Sequence, residues 1–254
     1  MRIFIISIEN SDSPRLTKFL SQPFFQKGEQ PFTKVGIRGG DLTAKEYFEM
    51  GVKGRSKPLS PSEIGCTLSH LKALQEFLKG EEEYALILED DAILPDHFCV
   101  QTLEDNLKKI QLSPQFLFSI GGIQMKECRK VRGNTKSFKL LNTPVLEVNS
   151  DFYHRICYTV SYIVDRSMAK VLIEYHKIMR AADDWRYIPD MYPESKIYMT
   201  FVVDHPILES HVIDPNFSTI DTERSKSRDV PISKYGSFLR YNIAKFFNKK
   251  YPLQ

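Results

Sequence analysis

Tyr84-Ala-Leu-Ile-Leu-Glu-Asp-Asp-Ala-Ile-Leu94 is the stretch of this chain that decides the fold. Its apolar part, residues 85–88, predicts a buried strand, and the strand ends directly in three acids, Glu89, Asp90 and Asp91. Neighbouring carboxylates repel one another, and burying them costs free energy unless a positive charge compensates them. In α/β proteins, ligands bind at the carboxyl ends of buried strands. The stretch therefore predicts an α/β fold and a hard divalent cation held against a phosphorylated substrate.

The composition is that of an ordinary soluble globular protein. Of the 254 residues, 42% are hydrophobic and 26% are charged. The formal net charge of +3 is too small to indicate a nucleic-acid partner, so we expect none. The four cysteines lack zinc-site spacing and are expected to be reduced, partly buried thiols. No signal peptide is evident, and no apolar run reaches the ~20 residues of a membrane span, so we expect a cytoplasmic protein.

Strand and helix signals follow one another through most of the chain, as in an α/β domain. Predicted strands lie at residues 3–8, 32–37, 85–88, 116–120, 158–164 and 196–203. Predicted helices begin at Arg15, at the capping residues of the Ser60-Pro-Ser-Glu63 segment, and at Ser167. Residues 126–139 are basic and polar, and we expect an exposed excursion there. The domain is predicted to span residues 1–220, followed by a basic amphipathic segment at residues 221–254.

Four segments resemble the family 25 glycosyltransferases of lipopolysaccharide and lipooligosaccharide synthesis. They are Ser62-Glu-Ile-Gly-Cys-Thr-Leu-Ser-His70, the acid-tipped strand, Ser161-Tyr-Ile-Val-Asp-Arg-Ser-Met-Ala-Lys170 and Asp183-Asp-Trp185. The resemblance implies a GT-A-like nucleotide-sugar-binding fold with a mostly parallel central sheet flanked by helices. It also implies transfer of a hexose from a UDP-sugar donor to a lipid-linked oligosaccharide acceptor. Bacterial members frequently transfer galactose with inversion, so we expect a galactosyltransferase acting on a lipopolysaccharide or lipooligosaccharide core.

The predicted cofactor is Mn²⁺ or Mg²⁺, because oxygen ligands suit a hard cation and not zinc. Glu89 and Asp91 lie two residues apart, so they face the same side of an extended segment and are the predicted ligands. Asp90 is expected to point elsewhere, toward the donor ribose or a backbone amide. The alternative is a strand end followed by a solvated acidic turn. The resemblance adds His211 as a third metal ligand, against the alternative of an exposed loop histidine.

Further donor-binding residues are predicted on the helix before the acid-tipped strand and beyond the last strand. Ser69 and His70 are expected to face the donor cleft, where His70 would donate to a phosphate oxygen. The alternative for His70 is a hydrogen-bonded histidine buried between helix and sheet. Ser218 is expected to bind the diphosphate from a loop that acts as a lid.

The first strand and the helix after it supply three more predicted donor contacts. GT-A folds bind the nucleotide there, so Ser7, Glu9 and Arg15 are candidates for contacts to ribose, uracil or phosphate. The alternative is helix capping together with a surface ion pair, which contributes little free energy.

A catalytic base is predicted in the Asp183-Asp-Trp185 segment. An inverting transfer needs a base to take the proton of the acceptor hydroxyl, and Asp184 fits the family pattern better than Asp183. Trp185, the only tryptophan, would offer a flat face to a sugar ring. The alternative is that Asp183 caps a helix and Trp185 fills the core.

The C-terminal segment carries apolar residues on one predicted helical face among lysines and arginines. It is expected either to lie on the cytoplasmic face of the inner membrane or to pack on its own domain. Two other functional classes fit the same residues: a sugar-nucleotide hydrolase, and a non-catalytic protein that binds glycans or membranes.

Overall fold

The computed structural model describes residues 1–26, 31–206 and 238–253. Its strands are β1 Arg2–Ile6, β2 Phe32–Val35, β3 Tyr84–Glu89, β4 Phe116–Gly121, β5 Arg132–Leu140, β6 Thr143–Val148, β7 Ser161–Asp165, β8 Lys196–Val203 and β9 Lys249–Lys250. Its α-helices are α1 Pro14–Leu20, α2 Pro23–Gln26, α3 Ala44–Tyr47, α4 Pro61–Lys79, α5 Val100–Ile110, α6 Arg166–Tyr175, α7 Ile188–Met191 and α8 Phe238–Phe247.

The strands form one mixed sheet in the order β2-β1-β3-β7-β4-β8-β6-β5-β9. The predicted α/β class is confirmed. Among the described strands, three pairings are parallel and five are antiparallel. This corrects the expected mostly parallel arrangement, because β7 is inserted antiparallel between β3 and β4 and the β5–β6 hairpin extends the sheet on one side.

Both faces of the central strands are buried. On β3, Ala85 and Ile87 pack in one core cluster with α4 and α6. Leu86 and Leu88 face the opposite cluster, which includes α1 and α5. Since side chains alternate between the two faces of a strand, a strand that is covered on both sides must be continuously apolar. The covered sheet therefore explains the apolar run that precedes the acids.

Helix α4 begins as its sequence predicts. Ser60 accepts from the backbone of Glu63, whose carboxylate bonds back to the Ser60 amide in a capping box. Near its start the helix lies against the turn that follows β2. A Cβ on Gly65 would lie 2.5 Å from the backbone nitrogen of Gly39, so this close approach requires glycine at position 65.

The prediction of an exposed excursion at residues 126–139 is wrong. Most of that segment is β5, which pairs with β6 and, at Arg132 and Gly133, with β9. Its outer face is solvated, so its sequence is polar and resembles a loop. Residues 143–148, which we did not predict as a strand, form its partner β6.

The C-terminal segment contacts the rest of the fold. Ala244 of α8 is buried in the core cluster, and Tyr241 packs against the same cluster. Within the described residues, we find no helix with the length and apolar character to cross a membrane.

Candidate active site

The acids at the end of β3 share one arginine. Arg15 of α1 donates to Asp90 Oδ1 through Nε at 2.7 Å, and its Nη2 lies 2.5 Å from the same oxygen. Nη2 also lies 3.1 Å from Asp91 Oδ2. The expectation that Asp90 points away from its neighbour is therefore wrong, because one guanidinium bridges both carboxylates. Ser7 at the end of β1 joins this group through a hydrogen bond with Asp90.

Burial acts differently on the two bridged acids. Burial raises the pKa of Asp90 above its usual value, although Arg15 and Ser7 oppose the shift. Burial also acts to raise the pKa of Asp91, but the hydrogen bond and charge of His205, together with Arg15, outweigh it and lower that pKa. Asp91 is thus held as an anion in a largely enclosed position.

His205 is a site residue that the sequence reasoning missed. Its Nε2 lies 3.5 Å from Asp91 Oδ2, and the ring is mostly buried. Burial lowers the His205 pKa, but Asp91 and Glu89 outweigh burial, so the pKa is raised overall. An isolated antiparallel β-bridge pairs Ile93 with Asp204 and brings the residues after β8 beside the acids of β3. The signal for it in the sequence is a histidine just beyond the last predicted strand, residues 196–203. The predicted His211 and Ser218 both lie outside the described residues.

One oxygen of Asp91 suits an additional ligand. Asp91 Oδ1 is buried and makes no hydrogen bond to any described residue. An anionic oxygen without a partner is costly in a protein interior. Asp91 and His205 together offer oxygen and imidazole donors at this point, so the residues present fit a divalent cation.

Glu89 is oriented by α4 on one side and by the segment that precedes β7 on the other. His70 Nε2 lies 3.2 Å from Glu89 Oε1, and Thr159 Oγ1 donates to the same oxygen. His70 Nδ1 lies 2.9 Å from the Tyr162 hydroxyl. His70 is buried, as in the alternative of a hydrogen-bonded histidine between helix and sheet, but one of its partners is a predicted site residue.

Two predicted donor residues have local structural partners. The Ser69 hydroxyl is fully buried, donates to the Gly65 carbonyl at 2.7 Å and accepts from the Ile37 amide at 2.8 Å. These bonds tie α4 to the turn after β2, so we assign Ser69 a packing role. Glu9 accepts from the Ser13 hydroxyl at 2.6 Å just before α1, but the Ser13 side chain does not cap that helix.

The two aspartates of the predicted base have different surroundings. Asp184 Oδ1 accepts from Arg186 Nε at 2.7 Å. Asp183 Oδ2 accepts from the Tyr158 amide at 3.0 Å. Tyr158 has φ 76°, which residues other than glycine rarely adopt, and its ring centroid lies 6.1 Å from that of His205. Asp183 is therefore linked to the acid cluster through Tyr158.

Trp185 is 3% exposed and belongs to the core cluster. It therefore fills the core, as the alternative has it, and the expectation of a sugar platform is wrong. Its two aspartate neighbours lie in a turn and not at the start of a helix.

An open cavity of about 340 Å³ lies beside the acids. Arg15, Asp90 and Asp91 form its charged side, and Phe19, Ile93 and Pro206 are among its apolar lining residues. Paired carboxylates, an arginine and an adjoining apolar cavity can together bind a phosphorylated ligand and a cation.

This chain is similar to several known proteins. Human (Homo sapiens) procollagen galactosyltransferase 2 is 28% identical over 141 residues, which cover 54% of this chain and 20% of that protein. The chain thus spans about a fifth of that relative's length. Among solved structures, A197 from STIV is 16% identical, with a TM-score of 0.41 over 82% of this chain and 86% of that chain. The inositol-1-phosphate CTP transferase from T. maritima is 13% identical, with a TM-score of 0.40 over 88% of this chain and 94% of that chain.

The sequence profile of "Glycosyltransferase family 25 (LPS biosynthesis protein)" matches residues 1–186. That range contains the acid-tipped strand, His70 and the aspartate pair, and it is well over half of the 254 residues. The chain therefore belongs to glycosyltransferase family 25.

Proposed function

We propose that this enzyme transfers galactose from a UDP-sugar to a hydroxyl of a lipopolysaccharide or lipooligosaccharide core, with inversion and with Mn²⁺ or Mg²⁺ bound at Asp91. The observation that carries the proposal is the buried Asp91 Oδ1, an oxygen of an ionised carboxylate with no described partner. Family membership supports the transferase chemistry. The name of the human relative supports galactose as the sugar.

Asp91 and His205 are the proposed centre of the metal site. Glu89 would add its negative charge from the same strand end, although its Oε1 already accepts from His70 and Thr159. When bound, the cation would neutralise the charge that develops on the departing diphosphate. Arg15 would release Asp91 when the cation binds and contact the donor phosphates, because the two carboxylates would no longer need its charge.

Asp184 is the proposed base, with Asp183 as its alternative. Arg186 Nε donates to Asp184 Oδ1 at 2.7 Å and thereby holds the carboxylate in one orientation. Asp183 accepts from the Tyr158 amide, and the Tyr158 ring lies near the His205 ring. Asp183 is therefore connected to His205 through one intervening residue. Replacing each aspartate by asparagine separates the two, since only the base should lose turnover with donor binding retained.

Helix α8 is the proposed contact with the membrane that carries a lipid-linked acceptor. Phe246 and Phe247 are 84% and 75% exposed, and Leu239 and Ile243 are exposed as well. Large apolar side chains exposed side by side indicate a binding surface. The neighbouring lysines at positions 245, 249 and 250 would attract anionic lipid headgroups on the cytoplasmic face of the inner membrane.

A coupled assay of UDP release tests the function. Wild-type protein with Mn²⁺ should release UDP from UDP-galactose only when a truncated core oligosaccharide is present. Asp91→Asn should abolish release and cation-dependent donor binding, whereas Asp96→Asn, at a nearby exposed acid, should leave both unchanged. Equal release without acceptor would indicate a hydrolase, and release by Asp91→Asn near the wild-type rate would refute the metal assignment.

A further inference from the structure

A second cluster of metal-binding side chains lies between α4 and the end of β3. Cys66 and His70 are four residues apart on α4, so they share one face of the helix. Glu89 faces them from the strand. The ligand atoms of the three residues lie within 4.8 Å of one another, although the sequence contains no zinc-type spacing.

The surroundings of this cluster resemble those of metal ligands. His70 uses Nδ1 to contact the Tyr162 hydroxyl at 2.9 Å, so its Nε2 is directed toward Glu89 Oε1 at 3.2 Å. Thr159 Oγ1 donates to the same carboxylate oxygen. Histidines that bind metals almost always have the other ring nitrogen fixed by a hydrogen bond, and ligating carboxylates are held similarly. The groups that would orient the ligands are thus in place around both His70 and Glu89.

The ligand set distinguishes this cluster from the site at Asp91. A thiolate, an imidazole and one carboxylate favour Zn²⁺ or Co²⁺, whereas Mg²⁺ and Mn²⁺ prefer oxygen. Three protein ligands also leave one tetrahedral position for water or a substrate group. We propose that Cys66, His70 and Glu89 form a second metal site that binds a thiophilic divalent cation of the Zn²⁺ class, separate from the hard cation at Asp91.

Binding requires one proton to leave and one hydrogen bond to reverse. Cys66 loses its thiol proton to solvent as the sulfur binds the cation. Before the cation binds, His70 donates from Nε2 to Glu89 and accepts from the Tyr162 hydroxyl at Nδ1. On binding, the imidazole proton moves to Nδ1, which then donates to the Tyr162 oxygen, and the freed Nε2 and Glu89 turn to the ion. Burial raises the pKa of Tyr162 well above its ordinary value, so the tyrosine remains a neutral hydroxyl that can accept this bond.

Cobalt provides the test, because a bound thiolate gives Co²⁺ a charge-transfer band in the near ultraviolet. Titration of the full chain with Co²⁺ should produce this band at one equivalent, and Zn²⁺ should remove it by displacement. Cys66→Ser should eliminate the band, and His70→Gln should weaken Co²⁺ binding by more than the ~10–100-fold that loss of a group orienting a ligand costs. Cys99→Ser, which changes an exposed thiol far along the chain, is the matched control and should retain the band.

Two further measurements separate loss of metal binding from loss of folding and from loss of sugar transfer. Unfolding of Cys66→Ser and His70→Gln in metal-free buffer establishes that both variants fold. Asp91→Asn should retain the cobalt band even if it abolishes sugar transfer, so failure of this proposal is separate from failure of the transferase proposal. The second site is refuted if wild-type protein gives no band, if the band persists in Cys66→Ser, or if Asp91→Asn eliminates it.

Discussion

Arg15 supplies the positive charge between Asp90 and Asp91, and its removal gives the sharpest test of this site. All three side chains are at most 17% exposed, and the guanidinium lies within 3.1 Å of both carboxylates. Removing one partner of a buried ion pair typically costs about 3–5 kcal/mol, because the remaining charge loses its compensation. We therefore expect Arg15→Met, which retains most of the apolar stem, to lower the free energy of unfolding by about that amount in the absence of metal.

The loss should depend on pH in a defined direction. Burial raises the pKa of Asp90, and the charge of Arg15 opposes that shift. Without Arg15 the folded-state pKa of Asp90 rises further above the unfolded value, so the folded state binds a proton that the unfolded state lacks. An acid with a raised folded-state pKa loses stability as pH rises, so the deficit of Arg15→Met should be smaller at about pH 5 than at about pH 8.

Urea unfolding of wild type, Arg15→Met and Lys18→Met measures the effect, since Lys18 is an exposed lysine on the same helix. Lys18→Met should change the free energy of unfolding by less than about 0.5 kcal/mol. Adding Mn²⁺ should restore part of the stability of Arg15→Met, because a cation at Asp91 replaces the lost charge. A deficit below about 1 kcal/mol at pH 8 would refute the reasoning that these acids need a compensating cation.

Three other predictions concern packing, acid stability and the surface helix. Gly65→Ala should destabilise the protein by about 1–3 kcal/mol in urea unfolding, because its Cβ would lie 2.5 Å from a facing backbone nitrogen. Gly40→Ala, whose Cβ would meet nothing within 4 Å, is the control. Burial lowers the His176 pKa to about 3 in the folded protein. As the pH falls below the ordinary histidine pKa, the unfolded state therefore binds a proton at His176 that the folded state does not. Stability should thus fall by about 2 kcal/mol from pH ~6.5 to ~5, and by less in His176→Gln. Replacing Phe246 and Phe247 by serine should weaken co-sedimentation with anionic vesicles at least tenfold while leaving turnover on a soluble acceptor unchanged; unaltered sedimentation would contradict the membrane proposal.

Local signals in the sequence predicted the parts of the fold that depend on local interactions. The apolar run of β3 is explained by its burial on both sides, and the start of α4 is set by contacts between Ser60 and Glu63, three residues apart. Strand β5 was not predicted, because the exposed face of the strand is polar and its sequence resembles a loop. Its pairing with other strands stabilises it. Tertiary pairing overrides local propensity in such edge elements.

In the candidate site, too, local features were predicted and contacts between distant residues were not. The acids of β3 were predicted from their position, because a strand end is a local feature. His205 was not, because its approach to Asp91 depends on the bridge between Ile93 and Asp204, which are far apart in sequence. Arg15 was predicted as a donor contact, but its pairing with the acids was not, because Asp90 and Asp91 lie 75 and 76 residues away.

The pairing of β9 with β5 has a consequence for assembly. Only Arg132 and Gly133 of the nine residues of β5 pair with β9, so the outer side of the remaining length has no partner among the described strands. Unpaired edges invite strand addition from other molecules, and lysines oppose it because bringing their charges together is unfavourable. Lys139 is exposed on this stretch of β5, whereas Lys136 pairs with Glu147 of β6. We therefore expect the positive charge of Lys139 to oppose backbone pairing between this margin of the sheet and a second chain.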